Sequence, residues 1–309
     1  MARIITITLN PALDKSISVP ELVPEKKLRA LSAKVEPGGG GINVSRALKK
    51  LGVASEAILF SGGYTGKTLE SLLSKEAVAF AAITTAGDTR ENFVVFDEDE
   101  QLQYRFGMPG EAISDKELGN LLHHLSDYAN VDYIVLSGSL PPGTTTAVFH
   151  QVATIAKQLN AKLIVDTSGE ALKVAVNEGL YLIKPNLREL ASLVGKEWID
   201  HVEIIPTARQ VIAAGSCEAM AVSMGADGAM LITATEQYFA AAPKAIVLST
   251  VGAGDSMVAG MLAALSNGWG WEKVLQYGVA AGSAATLHKG TELCSLPDTE
   301  RIFAQINRI

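Results

Sequence analysis

The sequence predicts an α/β fold: a mostly parallel central sheet with helices on both faces and a small β lid, in a single domain over residues 1–309. Three observations predict it. From Tyr133 onward, short apolar runs alternate with segments of helical period, as repeated β-α units require. Two stretches, about 15–36 and 90–108, carry no helical period and read as strands standing off the main sheet. The composition is globular, with 48% hydrophobic and 19% charged residues, and no internal repeat, low-complexity tract or linker divides the chain.

Ile4 to Leu9 is a first, buried strand. Asn10-Pro11-Ala12-Leu13-Asp14 ends it, which puts Asp14 just past a strand's C-terminal end, the edge where open α/β sheets bind ligands. Position alone favours a turn cap at Asp14 slightly over the ligand site. The lid stretch that follows carries Lys26, Lys27 and Arg29, a cluster that by itself reads as a solvated face. Pro37-Gly38-Gly39-Gly40-Gly41 then leads into Ile42 to Leu51, where Val44, Ala47, Leu48 and Leu51 keep helical spacing. Consecutive glycines are unfavourable to order, so their placement before a helix points to a close backbone approach to a ligand.

Ala57 to Phe60 and Ala77 to Ile83 read as strands around a helix from Thr65 to Lys75. Asn92 to Asp97 and Gln103 to Met108 flank Glu98-Asp99-Glu100 as a hairpin, with Arg90 and Arg105 in its region. Ser114-Asp115-Lys116-Glu117 matches a capping box and opens a helix to about Tyr128. Beyond it, strands are expected at Tyr133 to Leu136, Leu163 to Val165, Tyr181 to Ile183 and Ala219 to Ser223. Helices are expected at Thr144 to Leu159, Gly169 to Val176, Leu187 to Val194 and Ala208 to Ala214. Ala229 to Ala242 reads as a hairpin, and Trp271 to Leu287 and Asp298 to Asn307 as closing helices.

The chemistry gathers at Val251-Gly252-Ala253-Gly254-Asp255-Ser256, ahead of the apolar run Met257 to Leu265. Small residues at a helix start expose unpaired N–H groups at the positive end of the helix dipole, which suits a phosphate. Asp255 then sets a carboxylate beside that anion site. It reads either as a base for an acceptor alcohol or as a helix cap.

The formal charge of −7 and a pI near 5.3 disfavour nonspecific nucleic-acid binding. No apolar run is long enough for a membrane span, and the N-terminal apolar run is too short for a signal peptide. Cys217 and Cys294 form no CxxC or ligand pattern, which fits a reduced, cytoplasmic setting. His123, His124, His150, His201 and His288 show no metal-ligand spacing.

Pro37-Gly38-Gly39-Gly40-Gly41-Ile42-Asn43-Val44 early and Thr250-Val251-Gly252-Ala253-Gly254-Asp255 late resemble the paired signatures of the ribokinase (pfkB-type) carbohydrate kinases. Lys184-Pro185-Asn186 with Glu189, and Ser137-Gly138-Ser139-Leu140-Pro141, agree, and the resemblance covers essentially the whole chain. Within the family, the bacterial 6-phosphofructokinase pattern is nearest, with tagatose-6-phosphate kinase and 1-phosphofructokinase patterns close behind. The resemblance implies a ribokinase-like three-layer α/β/α sandwich whose β lid also clasps a homodimer. It implies transfer of the γ-phosphate of MgATP to the 1-hydroxyl of fructose 6-phosphate.

By the same resemblance, Asp255 is the base, and Gly252, Ala253 and Gly254 form an anion hole. Asp14, Gly39 and Asn43 hold sugar hydroxyls, while Lys27, Arg90, Arg105 and Ser139 face the sugar's existing phosphate; Arg29 and Gly38 also fall on the sugar side. Lys184, Asn186, Arg188, Ser223, Gly225, Ser249, Val279 and Ser283 line the nucleotide site, and Glu189 acts on Mg²⁺ through water. Carbonyls near Ser249, Val251, Ala285, His288 and Gly290 would hold K⁺. Two departures stand out: Arg188 replaces a Lys, and His288 and Glu292 replace an Asn and an Arg of the nearest pattern.

Other readings stay open at this point. The acceptor could be tagatose 6-phosphate or fructose 1-phosphate, and a catalytically silent sensor of nucleotide or sugar phosphate is a different class. A dinucleotide oxidoreductase is disfavoured, because the glycines at 38–41 follow an extended segment and lack G-x-G-x-x-G spacing.

Overall fold

The computed structural model describes residues 2–243, 247–288 and 290–306. Its strands are β1 Ile4–Thr8, β2 Ala12–Val19, β3 Ser32–Gly38, β4 Glu56–Ser61, β5 Ala79–Thr84, β6 Arg90–Asp97, β7 Leu102–Phe106, β8 Tyr133–Ser137, β9 Lys162–Asp166, β10 Leu180–Ile183, β11 Cys217–Ser223, β12 Ala229–Thr233 and β13 Gln237–Ala240. Its helices are α1 Gly40–Lys50, α2 Gly63–Lys75, α3 Asp115–Ser126, α4 Ala147–Gln158, α5 Gly169–Ala175, α6 Leu187–Leu193, α7 Ile204–Ala213, α8 Ala253–Ser266, α9 Trp271–Thr286 and α10 Leu296–Ile306.

The main sheet runs β13-β12-β11-β10-β9-β8-β1-β4-β5 and is parallel except at β11-β12-β13. Strand alternation sends successive side chains to opposite faces, and this sorts the core into two layers. Ile4, Val135, Ile164 and Leu182 pack with α1, α8, α9 and α10. Ile5, Ile134, Val165 and Ile183 pack with α3, α4, α6 and α7. The result is the three-layer sandwich. Helix α8 is buried from Ser256 to Leu265 and lies close against α9, because a methyl on Gly260 would come within 2.7 Å of Tyr277 O and Ala281 Cβ. This contact fixes the N-terminus of α8 relative to the sheet.

The second sheet, β3-β2-β6-β7, is the lid. In its register Asp14 lies across from both Glu36 and Asn92, and Val94 across from Arg105. These residues share the face that carries the polar groups. One residue along, Lys15 lies across from Val35 and Phe93, Phe93 from Phe106, and Val95 from Tyr104. That opposite face is largely apolar and open, with Phe106 50% and Val35 41% exposed around a Lys15–Glu91 ion pair at 2.7 Å.

Two expectations need correcting. Asp14 does not lie in a turn past the first strand; it is inside β2, so Pro11 kinks the chain from one sheet directly into the other. Helix α7 begins at Ile204, ahead of the expected Ala208, because Pro206 sits within the first turn, where its missing N–H breaks no helical bond. Asn307, the expected end of the last helix, lies outside the described residues. Among the described residues no helix is long and apolar enough to cross a membrane.

Candidate active site

A cleft opens between the C-terminal edge of the main sheet and the polar face of the lid. Its floor is the start of α8. Gly252 caps that helix with φ 74°, a left-handed conformation, and a methyl there would strike Leu293 Cδ2 at 2.6 Å. Among the described residues, the amides of Gly252, Gly254 and Asp255 find no backbone acceptor and stand free at the positive end of the helix, whereas the Ala253 amide, expected in the anion hole, donates to Thr250 O at 3.4 Å.

Asp255 sits in that first turn and accepts a hydrogen bond from Asn43 Nδ2 at 3.0 Å. Burial first, then the charge of Asp166, push its carboxyl up to about 6; the Asn43 bond and Lys184 oppose the rise. A carboxylate with that value holds a proton weakly enough to be free, and strongly enough to take one, near neutral pH.

Lys184, at the end of β10, is buried and pairs with Asp166 at 3.3 Å. A methyl on Gly254 would sit 3.3 Å from its Nζ, so the ammonium faces the amide cluster. Burial alone would lower Lys184, but Asp166, Asp255 and Glu189 hold it above its ordinary value, and it stays cationic. Asn186 and Glu189 form a capping box on α6, and Asn186 bridges to Ser223 of β11. Burial raises Glu189, while its bond from the Asn186 amide opposes the rise.

Beside this end lies a cavity of about 550 Å³, lined among others by Ser223, Gly225, Ala253, Gly254, Val279 and Ser283. It is wide enough for a nucleoside and opens onto the free amides. On the lid side, Asp14 accepts from Asn92 Nδ2 at 2.8 Å, and Asn92 Oδ1 accepts from Met108 N at 3.1 Å. Burial raises Asp14, against the pull of Asn92 and Arg90. A methyl on Gly38 would fall 2.3 Å from the Asp14 carboxylate, and Gly39 has φ 111°, so neither position tolerates a side chain.

Arg90 donates to Met108 O at 2.6 Å and Asn10 O at 3.0 Å, but its buried Nε has no partner. An unpaired guanidinium N–H is unfavourable unless an anion meets it. Asn10 Nδ2 in turn reaches Ser139 Oγ at 3.2 Å, which brings Arg90 and Ser139 to one corner. Arg105 reaches across the cleft from the lid to Thr250 Oγ1 at 2.9 Å. The cleft therefore holds a nucleoside-sized cavity, a row of free amides with a carboxylate of tuned acidity, and a corner of basic and polar groups.

A family model for the pfkB family carbohydrate kinases matches residues 5–299. The chain belongs to the pfkB family of carbohydrate kinases. It is 41% identical over 309 residues to ATP-dependent 6-phosphofructokinase isozyme 2 of Escherichia coli (strain K12), covering 100% of both chains. Phosphofructokinase-2 from Escherichia coli, solved in complex with substrates and products, superposes with a TM-score of 0.95 at 40% identity, covering 99% of this chain and 100% of that one. The same protein solved in complex with potassium gives 0.96 at 41% identity, with 100% of both chains covered. The fold is accordingly ribokinase-like.

For a pfkB kinase, most of the expected site residues come together, and a few do not. Lys27 and Arg29 lie exposed in the loop between β2 and β3, and neither pairs with a cleft residue among the described residues. Arg188 is exposed on α6 and is absent from the cavity wall, because its side chain leaves the helix on the solvent side. Lys184, Asn186 and Ser249 do not line the nucleotide cavity either: Lys184 stands behind Gly254, Asn186 bridges to Ser223, and Ser249 is 6% exposed and donates to Gly290 O at 2.7 Å. That bond draws together the segments carrying Ser249, Val251 and Gly290, while His288 N bonds Ala285 O at 3.2 Å nearby.

Sequence reasoning missed Asp166, Asn92, Asn10 and Arg46. Asp166 had the signal that marked Asp14, an acid at the C-terminal end of a strand. Asn92 had none, since its place opposite Asp14 exists only in the lid register.

Proposed function

We propose that this chain is an ATP-dependent 6-phosphofructokinase that forms fructose 1,6-bisphosphate from fructose 6-phosphate. The observation that carries the reading is Asp255, tuned to about 6, placed between a nucleoside-sized cavity and a corner bearing an unpaired Arg90 N–H.

ATP enters the cavity with its γ-phosphate toward the amides of α8. The sugar lies under the lid, its existing phosphate at Arg90, Arg105 and Ser139 and its hydroxyls at Asp14, Asn43 and the backbone of Gly39. Asp255 accepts the proton of the 1-hydroxyl as that oxygen bonds to the γ-phosphorus. The bond from that phosphorus to the β-γ bridging oxygen breaks, and ADP leaves with the electron pair. The amides of Gly252, Gly254 and Asp255, with Lys184, stabilise the charge on the transferred group.

Among the described residues no cluster of three or more His, Cys, Asp or Glu could hold a metal ion. Glu189, whose Oε2 accepts from Asn186 N at 2.8 Å and whose other oxygen is left available, fits a contact through water to Mg²⁺ carried on nucleotide phosphates. When bound, Mg²⁺ neutralises phosphate charge. The carbonyls around Ser249, Val251, Ala285, His288 and Gly290 keep a second lone pair each and fit K⁺; activity in KCl against NaCl tests this. The open apolar lid face fits a homodimer in which partner copies cover each other and bring Lys27 and Arg29 near a cleft. The chain acts as a single domain, and two buried free thiols suit the cytoplasm.

Comparing kcat/KM for fructose 6-phosphate, tagatose 6-phosphate and fructose 1-phosphate with MgATP tests the substrate. A preference for either alternative sugar refutes it, and ligand binding without ADP release refutes catalysis.

A further inference from the structure

Arg46 lies on α1 at 3% exposure, deep beneath the glycine run. Its guanidinium donates to both oxygens of Glu76 at 2.7 Å, to Pro37 O at 2.9 Å, to Glu36 Oε1 at 3.3 Å and to Asn43 Oδ1 at 3.4 Å. A guanidinium has no acceptor. The edge of Asn43 that faces it must therefore be the carbonyl. The amide nitrogen is left pointing the other way, where it donates to Asp255 Oδ2 at 3.0 Å.

An asparagine beside a carboxylate can stand in two flips. One offers an N–H to the carboxylate; the other sets a carbonyl oxygen against it and repels it. We propose that Arg46 is a positioning residue for phosphoryl transfer, setting the flip of Asn43 and through it the aim of the Asp255 carboxylate. The same guanidinium holds Pro37 O and Glu36 at the end of β3, and Glu36 also accepts from the Thr291 hydroxyl. The base and the lid strand that leads into the glycine run thus share one anchor. The inference rests on the reading of Asp255 as the base and adds what orients it.

An ion cluster with Glu36 and Glu76 would serve the fold without touching Asn43, so the test must read the base. In Arg46→Lys the charge opposite both glutamates is kept, but a single ammonium held by them cannot also span to Pro37 O and Asn43 Oδ1 as the three guanidinium nitrogens do, so the donor facing Asn43 is lost. The acid limb of kcat against pH is expected to move up by about one pH unit, a loss of about fivefold at pH 6 that approaches tenfold below pH 5, with KM for ATP unchanged. In an Asn43→Ala background the same change moves the limb no further. Glu76→Gln breaks the pair on the far side; it lowers the thermal midpoint and leaves the limb in place. A folded Arg46→Lys with the wild-type limb, or an equal shift in the Asn43→Ala background, overturns the proposal.

Should Arg46→Lys fail to fold, the triple variant Glu36→Gln, Arg46→Gln, Glu76→Gln carries no unpaired buried charge in this cluster and is read the same way. If neither folds, Arg46 serves the fold alone and the proposal is wrong. Asp255→Asn separates the two readings: an active Asp255→Asn sinks the base, whereas an inactive one beside an unmoved Arg46→Lys limb sinks only the positioning role.

Discussion

Lys184 Nζ and Asp166 Oδ1 stand 3.3 Å apart at the C-terminal edge of the sheet, beside the start of α8. After burial, the Asp166 charge is the largest influence lifting Asp255 to about 6. Asp166→Asn removes that charge and frees Lys184 to face Asp255, so the acid limb of kcat is expected to move to lower pH. A limb that stays put or rises would show that Asp255 does not set it.

Asp255→Asn should lower turnover by about 10³-fold or more while ATP still binds, as titration calorimetry would report. It should also stabilise the free protein. The folded value of about 6 lies above the ordinary 3.8, so the contribution of Asp255 to stability is fully present only below that ordinary value. This contribution is lost as pH rises through about 6. Asp255→Asn is therefore expected to raise stability on the order of 2 kcal/mol at pH 8, with the gain vanishing toward pH 4. Equal unfolding midpoints at pH 8 would contradict the burial of this charge.

Two glycine substitutions should fail differently. Gly252→Ala puts a side chain at φ 74° and into Leu293, costing about 1–2 kcal/mol and turning the free amides, so kcat falls. Gly38→Ala drives into the Asp14 carboxylate, so KM for the sugar phosphate rises with KM for ATP unchanged. Identical kinetic profiles for the two would dissolve the division of the cleft into two halves.

Arg90→Gln removes the unpaired guanidinium N–H at the lid corner. A phosphate held there loses a charge-assisted bond, and KM for the sugar phosphate is expected to rise about 10- to 100-fold. An unchanged KM would place the sugar's phosphate elsewhere.

Phe106→Glu puts a charge on the open lid face, next to Phe93 in the register. If the proposed homodimer forms through this face, sedimentation should show it dissociating at micromolar concentration, with activity falling alongside. A wild-type association constant would move the interface off this face.

Much of the fold was legible along the chain. The capping box at Ser114, the glycine run before Val44 and the β-α alternation are local signals, and the elements they mark are present, with α7 opening four residues ahead of its expected start. The misses at the site share a cause. Asp14 was given a turn because Pro11 reads as a stop, yet the chain continues at once into the lid strand, and only sheet pairing shows that. Asp166, Asn92 and Arg46 act through partners far away in sequence, and no local pattern names those partners.

The sequence by itself determined the family, the two glycine-rich loops and the identity of the acid that follows the second, because each depends on short runs whose chemistry is local. The tertiary structure decided the acidity of Asp255, the flip of Asn43 that steadies it, and which lid face meets the cleft. Those depend on burial and on charges brought close from distant strands, which exist only once the sheet has assembled.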